Sequence, residues 1–255
     1  MINPSHENPA AKSISVNDLP AHSLPLSANE VHLWQAKLNE HAADKLRPLL
    51  SEDEIVRADR FKFAKDREHY TVARALLRKL LAAYLGVGPD ELRFNYSETG
   101  KPSLAASQSG AMNFNLAHSH DLAVYAFSEG REIGVDVEFI RDSVEGEEIA
   151  ERFFSAREME ELKTVPMELR NRAFFDCWTR KEAYIKARGK GLSMELDQFD
   201  VSLIPGEAAS LLRNHKEPDE VGRWTMQSVS VPDGYVAALV VEGRDLQLES
   251  FELTA

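Results

Sequence analysis

Residues 178–186 read WTRKEAYIK, and residues 133–139 read IGVDVEF. In the second stretch Asp136 and Glu138 alternate with aliphatic residues, which is the period of a β-strand, so both acids point to one face. In the first stretch Glu182 and Lys186 are four residues apart in a helical pattern, so they share one face of a helix. Magnesium prefers carboxylate and phosphate oxygens as ligands. The two stretches therefore predict a strand and a helix that together bind a metal ion and a pyrophosphate.

Each stretch alone also fits an ordinary structural role. Acids at alternate positions of a strand usually form its solvated face. A glutamate four residues before a lysine is a common helix stabiliser, worth about 0.2–0.5 kcal/mol. It is the combination of the two stretches that indicates a functional site.

The bulk composition restricts the class of protein. The chain has 255 residues and a formal net charge of −12, which argues against nucleic-acid binding. No apolar run approaches the ~20 residues that span a bilayer. The N-terminus lacks the order of basic and apolar residues in a secretory signal, which predicts a cytoplasmic protein. The single cysteine, Cys177, excludes an internal disulfide, and its aromatic neighbours predict an inert buried thiol.

One segment reverses the acidic balance of the chain. Residues 57–79 contain eight lysines and arginines but three acids. A local basic surface on an acidic protein suits a small polyanion, and a solvated helix face explains the segment equally well.

The sequence repeats its landmarks after about 103 residues. Ser51 precedes Glu54 by three positions, as Ser155 precedes Glu158, and each pair is typical of the capping box that begins a helix. A following helix is predicted to end at the glycines of residues 86–88 in one copy and 189–191 in the other. An internal duplication is the expected cause. At this offset the positions of Asp136, Glu138 and Glu182 hold no acid in the first copy, so one metal site is predicted.

These patterns predict an α+β fold of two similar lobes related by a pseudo-twofold. Each lobe is expected to be a small, mostly antiparallel sheet packed on a long helix, with the ligand between the lobes. Residues 1–28 are predicted to be a flexible leader, 29–131 the N-terminal lobe, 132–249 the C-terminal lobe and 250–255 a tail.

The two opening stretches resemble the hallmarks of the Sfp-type 4′-phosphopantetheinyl transferases. That family has a Gly-(Ile/Val)-Asp-(Ile/Val)-Glu strand and a Trp-(Ser/Thr/Cys)-x-Lys-Glu-(Ala/Ser)-x-x-Lys helix, and both are present here in the same order. Further matches are GKP at residues 100–102, FNLAHS at 114–119 and GKGL at 189–192. The resemblance covers residues 31–241 and implies the same two-lobed architecture.

The resemblance implies a reaction, its partners and a set of metal ligands. The phosphopantetheine arm of coenzyme A moves to a serine of an apo acyl, peptidyl or aryl carrier protein, and adenosine 3′,5′-bisphosphate leaves. Asp136, Glu138 and Glu182 are the expected ligands of Mg²⁺, with Mn²⁺ as an alternative ion. Glu182 is expected to accept the serine proton, directly or through a metal-bound water. Lys186 is expected to stabilise or protonate the leaving phosphate, and Lys181 to hold the pyrophosphate.

Further residues are expected to contact coenzyme A. Lys101 and His118 match family positions that contact its phosphates, and Arg57 matches the position that meets the 3′-phosphate. Arg60 and Lys62 are expected to assist Arg57. The family usually has serine where this chain has Ala117, so one hydroxyl contact is missing and weaker coenzyme A binding is expected. Because a duplicated chain completes its site alone, a monomer is expected.

Several alternatives stay open from the sequence. One is another magnesium-dependent phosphoryl or nucleotidyl transferase, and another is a catalytically silent protein that binds coenzyme A or a carrier. The HSHD run at residues 118–121 also fits a transition-metal site, although no His or Cys cluster lies near it. It fits a hydrolase triad less well, because no Gly-x-Ser-x-Gly elbow occurs. The pathway of the carrier cannot be read, and its docking surface is expected between Phe139 and Arg170.

Overall fold

A computed structural model shows the architecture and describes residues 11–20, 24–97, 100–110, 112–141, 145–189 and 194–255. The strands in these ranges are β1 (Lys12–Ser15), β2 (Glu30–Lys37), β3 (Phe94–Tyr96), β4 (Pro102–Leu104), β5 (Met112–Ser119), β6 (Leu122–Glu129), β7 (Ile133–Phe139), β8 (Phe199–Val201), β9 (Leu211–Asn214), β10 (Trp224–Ser228), β11 (Tyr235–Glu242) and β12 (Gln247–Thr254). The α-helices there are α1 (Ala43–Leu46), α2 (Glu52–Asp59), α3 (Ala64–Leu85), α4 (Ala106–Ser109), α5 (Glu145–Phe153), α6 (Ala156–Thr164), α7 (Met167–Arg188) and α8 (Glu220–Arg223).

Two sheets enclose a shared apolar core. The larger has the order β1-β12-β2-β6-β5 and the smaller the order β10-β11-β7. Side chains such as Leu33, Val124 and Val137 point into the core between the sheets. Alternate residues on the same strands, such as Trp34 and Tyr125, point outward and pack against α3. The period of two therefore buries both faces of these strands, and α7 covers the outer face of the smaller sheet in the same way.

The two halves contain equivalent long helices. Helices α3 and α7 each have 22 residues, and they begin 103 residues apart. Each ends at a glycine in the left-handed conformation, Gly86 with φ of 67° and Gly189 with φ of 65°. Residues other than glycine rarely adopt this backbone conformation. Capping boxes at Ser51 and Ser155 begin α2 and α6. The prediction of two similar α+β lobes is therefore confirmed. Residues 190–192 of the GKGL match lie outside the described residues.

The ends of the chain differ from the prediction. Residues 12–15, within the predicted leader, form β1, which pairs in parallel with β12. Residues 247–254, which span the end of the predicted C-terminal lobe and the predicted tail, form β12 and pair in parallel with β2. Alternate apolar side chains explain this order, since Leu253 is buried beside Trp34 in the core under α3. The rest of the leader prediction, residues 1–10 and 21–23, lies outside the described residues.

No helix within the described ranges is both long enough and apolar enough to cross a bilayer.

Candidate active site

Close packing of α7 on β7 brings the predicted acids together. A side chain at Gly134 would place its Cβ 2.1 Å from the Ala183 carbonyl oxygen and 2.3 Å from the Ala187 nitrogen. Glycine is therefore required where the helix crosses the strand. Asp136 and Glu138 follow on the same face of β7, and Glu182 and Lys186 lie on the facing side of α7.

Asp136 and Lys186 form the centre of the site. The Lys186 Nζ lies 2.6 Å from Asp136 Oδ1 and also donates to the Val135 carbonyl oxygen at 3.3 Å. The Asp136 side chain is only 8% exposed, whereas that of Lys186 is 28% exposed and reaches solvent. The second carboxylate oxygen of Asp136, Oδ2, is buried without a hydrogen-bond partner. This oxygen is a polar atom that a bound cation would satisfy.

The three acids influence one another electrostatically. Burial raises the pKa of Asp136, although the Lys186 ammonium opposes that rise. Burial, followed by the charge of Asp136, raises the pKa of Glu138. The same two causes raise the pKa of Glu182, and Glu138 adds to the rise. The repulsion among three carboxylates shows that the site concentrates negative charge, which a cation would relieve.

The oxygen donors of the three acids suit a hard cation in their chemistry, but their side chains are not already gathered around one point. In the part of the chain that the structure describes, no three His, Cys, Asp or Glu side chains lie close enough to form a metal-binding group. Two of the predicted ligands have other partners, because Lys186 binds Asp136 and the Ser119 hydroxyl donates to Glu138 Oε2 at 2.8 Å. The unpartnered Asp136 Oδ2 and the oxygen-only donors match what Mg²⁺ prefers.

Lys101 and His118 reach the same site from the first lobe. The Lys101 Nζ donates to the Lys186 carbonyl oxygen at 2.7 Å, at the C-terminal end of α7. Burial lowers the pKa of Lys101. His118 is exposed on β5. Desolvation by the surrounding protein lowers the pKa of His118, and the electrostatic effects of His69 and Lys186 lower it further. Both predicted residues therefore lie near Lys186.

Basic residues at the C-terminal end of α2 line a separate groove. Arg57 and Arg60 border a cavity of about 990 Å³ together with Tyr70 and Tyr96. The Arg57 guanidinium lies 5.7 Å from the centre of the Tyr70 ring. Lys62 is not among the residues that line this groove, and its ammonium lies 5.6 Å from the centre of the Phe63 ring. The structure thus groups Arg57 with Arg60 in one groove, which Lys62 does not line.

Comparison with known proteins supplies the family. A model of the 4′-phosphopantetheinyl transferase superfamily matches residues 132–240. A model described as 4′-phosphopantetheinyl transferase, N-terminal, matches residues 32–130. The 4′-phosphopantetheinyl transferase HetI of Nostoc sp. is 39% identical over 225 residues, which cover 87% of this chain and 91% of HetI. This chain belongs to the 4′-phosphopantetheinyl transferase superfamily.

Other relatives of this transferase are more distant. The 4′-phosphopantetheinyl transferase Sfp of Bacillus subtilis is 27% identical over 202 residues, or 79% of this chain and 86% of Sfp. A solved structure, the Chronobacterium ammoniagenes ACPS–CoA complex, is 21% identical, with a TM-score of 0.35 over 46% of this chain and all of that one. The prediction of a phosphopantetheinyl transferase is confirmed by the family models and by HetI.

In this transferase Lys181 has a structural role. Its side chain is fully buried, and its Nζ donates to the carbonyl oxygens of Leu196 and Phe199, each at 2.7 Å. It also lies 2.7 Å from Glu158 Oε2. The prediction that Lys181 holds the pyrophosphate is wrong, because these three acceptors use every donor of an ammonium group away from solvent.

The first lobe of the transferase has the matching arrangement. Glu54 is buried in the capping box of α2, and its Oε2 accepts from Arg78 Nε at 2.6 Å. Arg74 Nε donates to the other oxygen at 2.9 Å. Arg78 precedes Lys181 by 103 residues. Each lobe therefore fixes its long helix with a buried ion pair to the preceding capping box.

Ala117 does not offer a ligand surface. The residue is 6% exposed and belongs to the core between the sheets. The Ala117 side chain faces the interior and not the site. The structure therefore gives no support to the predicted loss of a hydroxyl contact with coenzyme A at this position.

The sequence left two residues of the site without a role. The Asn115 Oδ1 accepts from the Val135 nitrogen at 2.9 Å, and the Ser119 Oγ accepts from the Phe139 nitrogen at 3.1 Å. The signal was present, because polar residues recur at alternate positions 113, 115 and 119 of β5. Sequence alone does not tell which strand such a polar face meets.

Proposed function

We propose that this chain transfers the 4′-phosphopantetheine arm of coenzyme A to a serine of an apo carrier protein and releases adenosine 3′,5′-bisphosphate in a magnesium-dependent reaction. Membership of the transferase superfamily supports the reaction type. One observation carries the assignment to this site, namely the Lys186 Nζ at 2.6 Å from Asp136, with the acids Glu138 and Glu182 beside the pair. A monomer is part of the proposal, because one chain supplies every residue assigned to the site.

The proposed metal ligands are Asp136, Glu138 and Glu182. Mg²⁺ bound there would neutralise negative charge on the pyrophosphate oxygens. The unpartnered Asp136 Oδ2 supports this assignment. Lys186 is the cation that the structure already places among the acids, and we assign it to the departing phosphate.

The chemical step joins the serine oxygen of the carrier to the β-phosphorus of coenzyme A. The bond from that phosphorus to the bridging oxygen breaks, and adenosine 3′,5′-bisphosphate leaves with the electron pair. Glu182 accepts the proton of the serine hydroxyl, and burial and the charge of Asp136 raise its pKa in the metal-free site. Lys186 donates a hydrogen bond or a proton to the leaving phosphate, where charge develops.

Four first-lobe residues are proposed to hold coenzyme A. Arg57 and Arg60 line a groove with the exposed aromatic rings of Phe61 and Tyr96, which suits the 3′-phosphate and the adenine. His118 and Lys101 belong to the same lobe and lie near Lys186, where the other phosphates are proposed to bind. Lys62 is left out of this set, because it does not line the groove.

The carrier is proposed to dock on the segment between Phe139 and Arg170. Two apolar side chains are exposed at its end, Met167 at 78% and Leu169 at 43%. Exposed apolar residues beside the basic Arg170 suit an acidic amphipathic helix. Residues 142–144 of the segment lie outside the described residues.

Intact mass spectrometry tests the proposed function. Several apo carrier proteins are incubated with coenzyme A, Mg²⁺ and the enzyme, and a gain of one phosphopantetheine arm is expected on at least one of them. EDTA and the variant Asp136→Ala are each expected to abolish the gain. Transfer that persists at full rate in EDTA would contradict the metal dependence. Coenzyme A binding without transfer to any carrier would overturn the proposed reaction.

Coenzyme A binding is expected to take up a proton at His118. The lowered pKa keeps the free imidazole neutral at pH 7, whereas an adjacent phosphate favours the charged form and raises the pKa in the complex. Affinity should therefore increase as pH falls through the pKa of the complex, by about tenfold per pH unit at most, and level off below the pKa of the free protein.

Isothermal titration with coenzyme A, without carrier or metal, measures this dependence. The matched control is His120→Asn, which removes an exposed histidine two residues away, while His118→Asn removes the proposed phosphate contact. We expect the pH dependence to shrink in His118→Asn and to persist in the control. Equal slopes in the two variants would show that His118 does not contact a phosphate.

A further inference from the structure

Strands β5 and β7 are the adjacent edges of the two sheets. Among the described residues, β5 pairs through its backbone with β6, and β7 pairs with β11, but no backbone ladder joins β5 to β7. Side chains of β5 provide the connection instead. Asn115 Oδ1 accepts from the Val135 nitrogen at 2.9 Å, and Ser119 Oγ accepts from the Phe139 nitrogen at 3.1 Å.

These two bonds lie at either end of the acidic segment of β7. Val135 immediately precedes Asp136, and Phe139 immediately follows Glu138. Asn115 is 5% exposed, so its amide is fixed in the interior. The main chain that carries the two acids is therefore held on both sides by the strand that carries His118.

Ser119 also makes a second hydrogen bond, to the side chain of Glu138. Its hydroxyl accepts from the Phe139 nitrogen and donates its hydrogen to Glu138 Oε2 at 2.8 Å. A hydroxyl has one donor and two acceptor positions, so it can make both bonds together. The Glu138 carboxylate is thereby held in one orientation while its other oxygen is left for a ligand.

We propose that Ser119 and Asn115 are positioning residues of the metal site. Asn115 fixes β7 before Asp136, and Ser119 fixes it after Glu138 and also orients the Glu138 carboxylate. Neither residue is assigned a contact with the substrate. The inference rests on the proposed function, because it assumes that these acids bind the metal. Loss of a residue that orients a metal ligand commonly costs about 10–100-fold in metal affinity.

Manganese binding provides a readout other than activity. The free Mn²⁺ concentration is followed by electron paramagnetic resonance in titrations of the intact chain, with saturating coenzyme A and no carrier. Asp136→Ala tests the proposed metal site itself. If the wild type and Asp136→Ala bind Mn²⁺ alike, the acids are not the site, and the proposed metal site and this inference are both overturned. If Asp136→Ala loses the Mn²⁺ binding that the wild type shows, the site stands and the positioning variants decide the inference.

Ser119→Ala and Asn115→Ala are each expected to weaken Mn²⁺ binding by about tenfold. The matched control is Asn113→Ala, on the same strand, whose side chain donates to the Arg131 carbonyl oxygen at 2.9 Å, outside the acidic segment. It is expected to bind Mn²⁺ as the wild type does. Wild-type affinity in Ser119→Ala, or an equal loss in Asn113→Ala, would overturn the proposal.

A pair of variants isolates the hydroxyl if Ser119→Ala does not fold. Ser119→Thr retains the donor, and Ser119→Val has nearly the same shape without it. Near-wild-type affinity in the threonine variant and an affinity about tenfold lower in the valine variant are expected. Steady-state kinetics should show the same order in the Mg²⁺ concentration needed for half-maximal rate. Equal affinities in the two variants would overturn the role of the hydroxyl.

Discussion

Lys181→Met is expected to lower the free energy of unfolding by about 3–5 kcal/mol, because it leaves Glu158 as a buried charge without its partner. Glu158 is fully buried, and no part of the Lys181 side chain reaches solvent. Methionine keeps most of the volume but cannot donate to the carbonyl oxygens of Leu196 and Phe199. The loss is a large share of a typical total stability of about 5–15 kcal/mol.

Urea unfolding followed by circular dichroism measures this effect. Lys163→Met is the matched control, since Lys163 is exposed on α6 and its loss should cost no more than about 0.5 kcal/mol. Adding Glu158→Gln to Lys181→Met removes the orphaned charge and is expected to recover part of the stability. Unchanged stability with a much lower kcat/KM would mean that Lys181 contacts the ligand after all.

Glu182→Gln is expected to reduce kcat/KM by about 10²–10⁴-fold, the range for loss of a general base. A loss of 10³-fold corresponds to about 4 kcal/mol of transition-state stabilisation. The amide has the shape of the acid but cannot accept the serine proton. Coenzyme A binding measured without metal should change little, because the proposed side-chain contacts to the phosphates remain.

The same carboxylate predicts how the rate depends on pH. Burial and the charge of Asp136 raise the pKa of Glu182, with Lys186 opposing them. The base is active only when deprotonated, so kcat/KM should rise with pH through the pKa of Glu182, and bound Mg²⁺ would lower that pKa from its raised value in the metal-free site. Glu207→Gln, an exposed change outside the proposed site and the proposed docking segment, should keep the wild-type rate and profile. Near-normal turnover in Glu182→Gln would remove Glu182 from the role of base.

Local patterns predicted much of the architecture. The offset between Gly86 and Gly189 predicted two equivalent helices. Both glycines do end a 22-residue helix in the left-handed conformation. Alternation along residues 133–139 placed Asp136 and Glu138 on one face, as the structure has them. Such features depend on neighbours within a few residues, which the sequence displays directly.

The role of Lys181 does not follow from the family motif, but it does follow from helical geometry. Cys177, Lys181 and Ile185 are spaced four residues apart, and all three are buried. Glu182 and Lys186 lie about 100° further round the helix, on the face toward β7. The spacing alone therefore placed Lys181 among apolar residues rather than beside Lys186.

Contacts between distant segments could not be read from the sequence. The groove at Arg57 and Arg60 depends on the contact between the Phe61 ring, in the turn before α3, and the Tyr70 ring. The bonds from Asn115 and Ser119 depend on two sheet edges meeting, and no local pattern encodes that meeting. The pairing of β12 with β2 joins residues more than two hundred positions apart.

That last pairing has a consequence for the order in which the protein assembles during synthesis. When β2, α3, β5 and β6 have left the ribosome, β2 can pair with β6 but its other edge has no partner until residues 247–254 emerge. An unpaired strand edge is a template for unwanted pairing with other chains. The lobe that is translated first is thus completed last, and the nascent chain carries an open sheet edge while the entire second lobe is made.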